Sequence, residues 1–283
     1  MQFEKITIIG LGLIGGSLAR ALKESGQVEI VVGIDTNEDT LKYAFDNGVI
    51  DEGAPEINEV IEHSEIVVVA TYVGTIFESA KKAFEVASQG AIITDVGSVK
   101  SSVVNGIEQH LPEHLHFVPA HPIAGTENSG ISSSDPGLFK DKRCIITPTP
   151  KTNPRAVDKV RKMWELAGSQ VYEMDPGTHD HIFAVVSHLP HVVAYSLINS
   201  VLSSKDSDKL LEFAGGGLKD YTRVSASSPE MWTEIFKANK EQLLNAISLF
   251  KDSLDKIEGA IRDEDFEKLR AELEKAAQAK RNL

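Results

Sequence analysis

The sequence has few of the features that a secreted, membrane-bound or nucleic-acid-binding protein needs. It contains a single cysteine, Cys144, in an apolar run, so we expect no internal disulfide, a reducing compartment and a buried, inert thiol. Basic residues are the minority, 29 against 42 acidic ones, and the formal net charge of −13 argues against general binding to nucleic acid or anionic membranes. The N-terminus lacks the marks of a signal peptide, and the apolar runs fall short of the ~20 residues of a membrane span. We therefore expect a cytoplasmic protein that holds any anionic ligand at a local cationic site.

The first part of the chain alternates strand-like and helix-like patterns. Short apolar runs typical of strands occur at 6–9, 30–34, 66–70, 91–95 and 116–120. Helical patterns separate these runs, which predicts an α/β fold with a Rossmann-type, doubly wound and mostly parallel sheet covered by helices on both faces. Two later runs, 144–147 and 170–174, predict further strands on either side of a helix from Pro154 to Ala167, with Asn153 as its N-cap.

A change of pattern near Asp175 predicts a second domain. Strand-like runs end there, and apolar residues recur with the 3.6-residue period of helices. We therefore divide the chain into a dinucleotide-binding domain, 1–174, and an all-α domain, 175–283. The predicted helices of the second domain cover 178–202, 229–261 and 263–281, and a glycine cluster at 215–217 precedes a loop through Arg223.

The run 6–9 leads directly into a dinucleotide-binding fingerprint. Its residues are Gly10, Leu11, Gly12, Leu13, Ile14 and Gly15, and a helical pattern follows. The first glycine permits a tight turn, the second lets the backbone approach a pyrophosphate, and the third allows the helix to pack closely on the strand. Unpaired N–H groups at the start of the helix favour the anion. A tight turn in a fold that has lost its nucleotide is the alternative interpretation.

Asp35, at the end of the second apolar run, favours NAD over NADP. Its carboxylate can accept hydrogen bonds from ribose hydroxyls, whereas a 2′-phosphate would be repelled and the next two residues supply no arginine to compensate. Thr71, Tyr72 and Val73 follow the third run, and we expect them to border the cofactor because ligands gather at the carboxyl ends of strands.

His121 is the candidate base for hydride transfer from an alcohol carbon, a reaction that needs an acceptor for the hydroxyl proton. It follows the apolar run 117–120, so we expect it at the carboxyl edge of the sheet beside the nicotinamide, where a neutral imidazole can accept the proton. A structural histidine is an equal alternative. Ser98 follows the preceding run, and on physical grounds an N-cap for the next helix is its favoured role, although a role in the site can coexist with it.

Four further histidines crowd one short stretch of the sequence: His179, His181, His188 and His191. A zinc centre needs several converging ligands, and the usual zinc signatures are absent, so we expect no metal. If the stretch is helical, His188 and His191 share a face, and one can touch substrate while the other is structural.

For two residues of the second domain, contact with a ligand is weighed against a structural role. Arg223 suits bidentate capture of a carboxylate, although on the residues alone a surface ion pair to Asp220 is slightly favoured. Trp232 is expected in the core rather than against a ligand.

Five motifs resemble, in matching order, the prephenate and arogenate dehydrogenase family. They are Gly10–Ser17, Asp95–Lys100, His121–Glu127, Ser187–His191 and Gly215–Arg223. The glycine fingerprint is shared with many dehydrogenases, whereas His-Pro-Ile-Ala-Gly-Thr and Gly-Gly-Gly-Leu-Lys-Asp are far more specific. The resemblance covers nearly the whole chain.

The resemblance implies an NAD-dependent oxidative decarboxylation of prephenate to 4-hydroxyphenylpyruvate on the route to tyrosine. By it, His121 accepts the proton of the ring hydroxyl with assistance from Ser98, and Arg223 holds a substrate carboxylate. The other residues that it places at the substrate are His191, Thr126, Lys219, Gly216 and Trp232. It also implies an ionic gate made by Glu127 and Asp220, and a homodimer formed through the helical domain.

Three alternatives to a prephenate-specific enzyme remain. Arogenate, or both substrates, is possible within the family, although His191 resembles prephenate-using members and no extra carboxylate in that stretch awaits an ammonium group. A β-hydroxyacid dehydrogenase is more distant, because Lys237 and Asn239 only poorly imitate its lysine and asparagine pair. A non-enzymatic NAD sensor would leave the histidine, serine and arginine described above without a shared purpose.

Overall fold

A computed structural model describes residues 1–126 and 128–282, and its first large feature is a six-stranded parallel sheet. The strands are β1 (Phe3–Ile9), β2 (Val28–Ile34), β3 (Glu52–Ala54), β4 (Ile66–Val69), β5 (Ile92–Asp95) and β6 (His116–Val118). The helices between them are α1 (Leu13–Glu24), α2 (Glu38–Asp46), α3 (Val73–Phe84) and α4 (Ser101–Glu108). The strand order is β3-β2-β1-β4-β5-β6, which confirms the doubly wound fold. The order reverses between β1 and β4, the switch point at which such folds bind ligands.

Both faces of this sheet are buried, which explains why its strands read as continuous apolar runs. Ile8 of β1 and Val68 of β4 belong to one core, together with Leu18 of α1. Val67 of β4 belongs to a second core on the opposite face, together with Ile76 of α3.

A smaller sheet follows the large one and contains β7 (Ala120–Pro122), β8 (Arg143–Ile146) and β9 (Gln170–Glu173). The helix α5 (Pro154–Leu166) connects β8 to β9, and the Asn153 side chain caps it as predicted. The run 116–120, predicted as one strand, is divided between the two sheets. Pro119 lies at the division, and it has no N–H to donate to a strand ladder.

The chain is helical after β9. Its helices are α6 (Pro176–Phe183), α7 (Leu189–Leu202), α8 (Ser207–Glu212), α9 (Gly216–Thr222), α10 (Pro229–Ala238), α11 (Lys240–Arg262) and α12 (Phe266–Arg281). A π-helical turn, Ala184–His188, joins α6 to α7, so the predicted helix 178–202 is nearly continuous. Pro190 lacks the N–H that would close a regular turn there.

Two helix predictions were wrong. The loop expected through Arg223 is the helix α9 followed by a short 3-10 helix, Arg223–Ala226. The single helix expected over 229–261 is interrupted at Asn239, whose backbone is not helical. The buried side chain of Asn239 donates to the carbonyl oxygen of Asp180 at 2.8 Å, a contact that ties the interruption to α6.

The helical stretch Pro176–Leu202, of 27 residues, is long and apolar enough to cross a membrane by length and composition, because an 18-residue window within it has a mean hydropathy of 1.4. The expectation concerned uninterrupted apolar runs, and these are short in this stretch, with Ile182–Val186 the longest. The same stretch also carries the buried polar residues His179 and Asp180, which bind groups of the first half of the chain.

Candidate active site

The turn after β1 has the shape that a pyrophosphate requires. Gly10 has a φ of +95°, and a Cβ there would lie 2.7 Å from the carbonyl oxygen of Ala70. A Cβ on Gly15 would lie 1.9 Å from the carbonyl oxygen of Gly10, so only glycine lets α1 start this close to β1. At Gly12, by contrast, the described residues place no atom within 4 Å of a Cβ. Packing explains Gly10 and Gly15, whereas the open space at Gly12 suits the approach of a ligand phosphate.

The start of α1 and the end of β2 offer groups that a dinucleotide can use. Gly12 is the N-cap of α1 and has no side chain to occupy the first N–H groups of the helix. The Asp35 carboxylate accepts hydrogen bonds from the N–H groups of Leu11, at 2.9 Å, and Asn37, at 3.0 Å. These bonds orient the carboxylate and leave lone pairs for ribose hydroxyls.

The segment after β4 borders the same switch point. Thr71 has a buried hydroxyl oxygen that lacks a hydrogen-bond partner among the described residues. Tyr72 is the N-cap of α3, and Val73 is the first residue of that helix. A buried hydroxyl without a partner is costly, so a ligand that bonds to Thr71 would remove that cost.

His121 stands at one end of a chain of hydrogen bonds that crosses from β7 to α6. Its Nδ1 lies 2.9 Å from Nε2 of His179, and Nδ1 of His179 lies 2.9 Å from Oδ1 of Asp180. Asp180 also accepts hydrogen bonds from the backbone N–H groups of Lys100 and Ser101, both at 2.8 Å. His121 lies just beyond β6, at the predicted edge of the large sheet, although in a strand of the second sheet.

A buried ion pair fixes the backbone next to His121. Nζ of Lys100 donates to the Asp95 carboxylate and, at 2.6 Å, to the carbonyl oxygen of Ala120. Asp95 in turn accepts a hydrogen bond from the N–H of Ala120 at 3.3 Å. Both charged side chains are fully buried, and a buried charge requires such a partner.

The environment keeps His121 neutral. Burial is the first cause that lowers the pKa of His121 well below 6.5, and the neighbouring His179, Lys100 and His188 add to the effect. Burial also lowers the pKa of His179, although the hydrogen bond to Asp180 acts in the opposite direction. For Asp180, burial favours the neutral acid, but the hydrogen bonds from His179, Lys100 and Ser101 outweigh it and lower the pKa. At neutral pH the chain of hydrogen bonds therefore joins two neutral imidazoles to a carboxylate.

The favoured interpretation of Ser98 as an N-cap was wrong. The helix α4 begins at Ser101, with Lys100 in the N-cap position and no side-chain cap of its own. The carboxylate of Asp180 binds the N–H groups at this helix start instead. Ser98 is half-buried in the loop between β5 and α4, and its role at the site remains a prediction.

The two histidines of the Ser-His-Leu-Pro-His motif have different surroundings. His188 is buried, its Nδ1 accepts a hydrogen bond from the Asn239 amide at 3.2 Å, and burial lowers its pKa to about 4. His191 is half-buried and donates from Nδ1 to the carbonyl oxygen of Ser187 at 2.8 Å. Its ring stacks on the buried Trp232 with the ring centroids 3.5 Å apart. The Asn239 amide thus holds a buried His188, whereas Trp232 supports a half-buried His191.

The predicted residues of the glycine cluster and its surroundings are exposed. Gly216, Lys219 and Asp220 lie on α9, and Arg223 follows it. The charge of Arg223 contributes to the lowered pKa of His191, after the larger effect of burial. Arg223 therefore lies near His191 and its stacked tryptophan.

Thr126, a predicted substrate contact, lies next to the predicted ionic gate. Its side chain is exposed, and its hydroxyl accepts a hydrogen bond from the N–H of Asn128 at 3.2 Å. Glu127 lies outside the described residues, so its pairing with Asp220 remains a prediction.

The expectations about a metal and about the cysteine have different outcomes. Within 1–126 and 128–282, no group of three or more His, Cys, Asp or Glu side chains is arranged to hold a metal ion. The absence of a metal remains a prediction.

Cys144 is buried, and burial raises the pKa of its thiol, which agrees with the expected inert thiol.

The sequence patterns did not reveal the partners of His121. His179 stood out only as one of several clustered histidines, and Asp180 carried no predicted role. A signal was available in the adjacent His179 and Asp180, which are polar residues just before the apolar run Ile182–Val186. Their partners could not be predicted from the spacing of residues, because His121 lies 58 positions from His179 and Lys100 lies 80 positions from Asp180.

Two family models match the chain, one in each half. A family model described as "Prephenate dehydrogenase, nucleotide-binding domain" matches residues 18–173. A second, described as "Prephenate dehydrogenase, dimerization domain", matches residues 175–275.

Individual relatives are similar over most of their length. The chain is 35% identical over 268 residues to a Bacillus subtilis protein named prephenate dehydrogenase, a match that covers 94% of this chain and 72% of that protein. It is also 35% identical over 265 residues to the cyclohexadienyl dehydrogenase of Zymomonas mobilis, covering 93% and 90% of the two chains.

Solved structures show the same likeness. Prephenate dehydrogenase from Aquifex aeolicus, in complex with hydroxyphenyl propionate and NAD+, has a TM-score of 0.93 and 38% identity, and the match covers 100% of this chain and 99% of that one. Synechocystis arogenate dehydrogenase has a TM-score of 0.83 and 29% identity, covering 98% and 99%. Proteins similar to this chain are thus named for prephenate, for arogenate and for cyclohexadienyl substrates.

Proposed function

Because the chain belongs to the prephenate dehydrogenase family, as the matches over 18–173 and 175–275 show, we propose that it catalyses the NAD-dependent oxidative decarboxylation of prephenate to 4-hydroxyphenylpyruvate in tyrosine biosynthesis. The observation that carries the proposal is a neutral His121 held just beyond β6 of the sheet that also bears the glycine turn. The pairing of a nucleotide site with a neutral base is what oxidation of an alcohol carbon requires.

NAD is the cofactor that the residues of the switch point fit. Residues 10–15 and the start of α1 would hold the pyrophosphate, and Asp35 would bind the ribose hydroxyls. Thr71, Tyr72 and Val73 would border the remainder of the cofactor, with the unpartnered Thr71 hydroxyl as a donor or acceptor. When bound, NAD accepts the hydride from the ring carbon. The Aquifex aeolicus structure with NAD+ supports this assignment.

His121 takes the proton that the reaction releases. As hydride leaves the ring carbon that bears the hydroxyl, the neutral imidazole accepts the hydroxyl proton and the carbonyl forms. The resulting dienone loses its ring carboxylate as carbon dioxide, because the electron pair of the broken C–C bond makes the ring aromatic and leaves a phenolate oxygen, which then takes up a proton. A positioned base contributes roughly a 10²- to 10⁴-fold rate effect, and we propose that Ser98 assists it.

Residues of the helical half would bind the substrate. Arg223 is the proposed clamp for a carboxylate, since its planar guanidinium can donate two parallel hydrogen bonds. His191 lies near it and is backed by Trp232. Thr126, Lys219 and Gly216 complete the proposed substrate contacts, and Glu127 with Asp220 is the proposed gate.

Prephenate is our choice over arogenate, which differs from it by an amino group in place of a side-chain keto group. Arogenate carries an ammonium that requires a nearby carboxylate, and the Ser187–His191 motif supplies none. The charge that acts on His191 is the cation Arg223, which suits the carboxylates of either substrate and repels an ammonium. A dual specificity is the second candidate, because the Zymomonas mobilis relative is named for cyclohexadienyl substrates.

One assay tests substrate and cofactor together. NADH or NADPH absorbance is followed with prephenate or arogenate and with NAD or NADP, and kcat/KM is compared for the four pairs. We expect prephenate with NAD to give the highest value. A higher value for arogenate would overturn the substrate choice, preference for NADP would overturn the role of Asp35, and silence with all four pairs would overturn the enzyme assignment. A cytoplasmic location and the absence of membrane and nucleic-acid partners remain predictions.

A further inference from the structure

We propose that His179 and Asp180 are positioning residues that hold His121 in the tautomer whose Nε2 carries the free lone pair. The inference rests on the proposed role of His121 as proton acceptor, and it adds the accepting atom and the residues that select it. It stands on the line of contacts from His121 to His179 to Asp180, in which each link is 2.9 Å long.

The first step fixes the hydrogen between Asp180 and His179. The backbone N–H groups of Lys100 and Ser101 can only donate, and they point at the two oxygens of Asp180 from 2.8 Å. A carboxylate that receives such bonds is stabilised in its ionised form, which can only accept. The hydrogen in the contact with His179 therefore belongs to Nδ1 of His179.

The second step follows from the burial of His179. Its side chain is fully buried, and burial favours the neutral imidazole. A neutral imidazole has one N–H, so when Nδ1 donates to Asp180, Nε2 must be an acceptor. The hydrogen in the contact between His179 and His121 is then supplied by Nδ1 of His121.

The third step concerns the other nitrogen of His121. With the hydrogen on Nδ1, the lone pair lies on Nε2, the ring atom that is not engaged with His179. The ring is held in this orientation by Phe183, whose centroid lies 5.0 Å from that of His121 and 4.5 Å from that of His179. The substrate proton moves from the hydroxyl oxygen to Nε2, and the proton on Nδ1 stays in place.

The same line of contacts also stabilises the product state of that proton transfer. Protonated His121 is a cation near the buried Lys100, a repulsion that lowers its pKa. The negative charge of Asp180, at the far end of the line of contacts, opposes this repulsion. Asp180 and His179 thus select the tautomer before the reaction, and Asp180 offsets the positive charge after it.

The test compares two substitutions of His179. His179→Phe keeps an aromatic ring in the buried site but removes the acceptor, so His121 loses its preference for the Nδ1–H tautomer. His179→Gln is the conservative control, because its carbonyl oxygen can replace Nε2 while its amide donates to Asp180. We expect kcat for prephenate to fall at least about tenfold in His179→Phe, towards the roughly 10²- to 10⁴-fold loss of a missing base, with KM little changed. His179→Gln should recover most of that loss.

The second measurement is ¹⁵N NMR of histidine-labelled protein, which reports which nitrogen of His121 carries the proton. A merely structural role of His179 would leave that proton in place. The His121 signals are assigned by their loss in His121→Asn. We expect the resting wild type to carry its proton on Nδ1 of His121, and His179→Phe to shift protonation towards Nε2.

The outcomes separate this inference from the proposed function. Silence of the wild type with prephenate would overturn the proposed function, while the NMR tautomer would still test the positioning role. A proton on Nε2 in the wild type, or a folded His179→Phe with normal kcat, would overturn the positioning role alone. If His179→Phe does not fold, the wild-type spectrum and His179→Gln still decide.

Discussion

At the scale of single residues, the protonation of His121 is set by what surrounds it. An ordinary histidine has a pKa near 6.5, so at that pH its imidazole is protonated, and unable to accept a proton, in half of the molecules. Here burial and the cation of Lys100 disfavour the protonated form, and the pKa falls well below that value. The base is therefore ready to accept a proton throughout the neutral range.

This shift predicts the pH dependence of the reaction. A base with a lowered pKa remains deprotonated to a lower pH, so the acid limb of the kcat/KM profile should lie below pH 6.5. The measurement is kcat/KM for prephenate across the acid range. His181→Asn, at an exposed histidine, is the control and should leave the profile unchanged. An acid limb at or above pH 6.5 would contradict the neutral base.

The residues that could be predicted from the sequence are those whose signal is local. Gly10, Gly15 and Asp35 follow from one turn and the strand after it, and the structure gives each a packing or hydrogen-bonding reason. His179 and Asp180 could not be predicted in their roles, because their partners come from β7 and the start of α4. Tertiary folding alone brings those segments together.

At the scale of elements, the buried parallel strands were the easiest to predict. Both of their faces are covered, so each gives an uninterrupted apolar run. The errors lie where a single residue ends an element that the apolar pattern would continue. Pro119 divides one strand-like run between two sheets, and Asn239 interrupts a helical pattern because its side chain is bonded to α6.

The start of α5 offers a test at this scale. The Asn153 side chain accepts hydrogen bonds from the N–H groups of Arg155, at 2.9 Å, and Ala156, at 3.4 Å. Asn153→Ala should cost about 1 kcal/mol of unfolding free energy, and Asn153→Asp should retain most of it because aspartate also caps. In thermal unfolding followed by circular dichroism, we expect Tm to fall by about 2–4 °C for alanine. An unchanged Tm for the alanine variant would show that the cap contributes nothing.

At the scale of the whole molecule, exposed apolar side chains are concentrated in the helical half. Examples are Val186, Leu197, Leu202, Leu249 and Leu254. A groove of about 410 Å³ lies among α7, α9 and α11, and Leu197 and Phe250 are among its lining residues. This half matches the family's dimerisation domain, so we propose that a second copy covers these faces, including that of the apolar stretch Pro176–Leu202.

The dimer proposal predicts the effect of a charge in the groove. Leu197→Glu should weaken self-association, because it places a carboxylate on a surface that the second copy would bury. Phe45→Glu is the matched control, since Phe45 is exposed on α2 in the other half of the chain. Sedimentation velocity should give a dimer for the wild type and the control, and a shift to monomer for Leu197→Glu. A monomeric wild type, or a dimer that Leu197→Glu leaves intact, would contradict this interface.

The role of His121 as proton acceptor is tested by the turnover of His121→Asn with prephenate and NAD. Asparagine removes the basic nitrogen while the surrounding ion pair of Asp95 and Lys100 remains. We expect kcat to fall roughly 10²- to 10⁴-fold, with little change in KM and an unchanged dissociation constant for NAD. Turnover of a folded His121→Asn protein at the wild-type rate would show that the proton is accepted elsewhere.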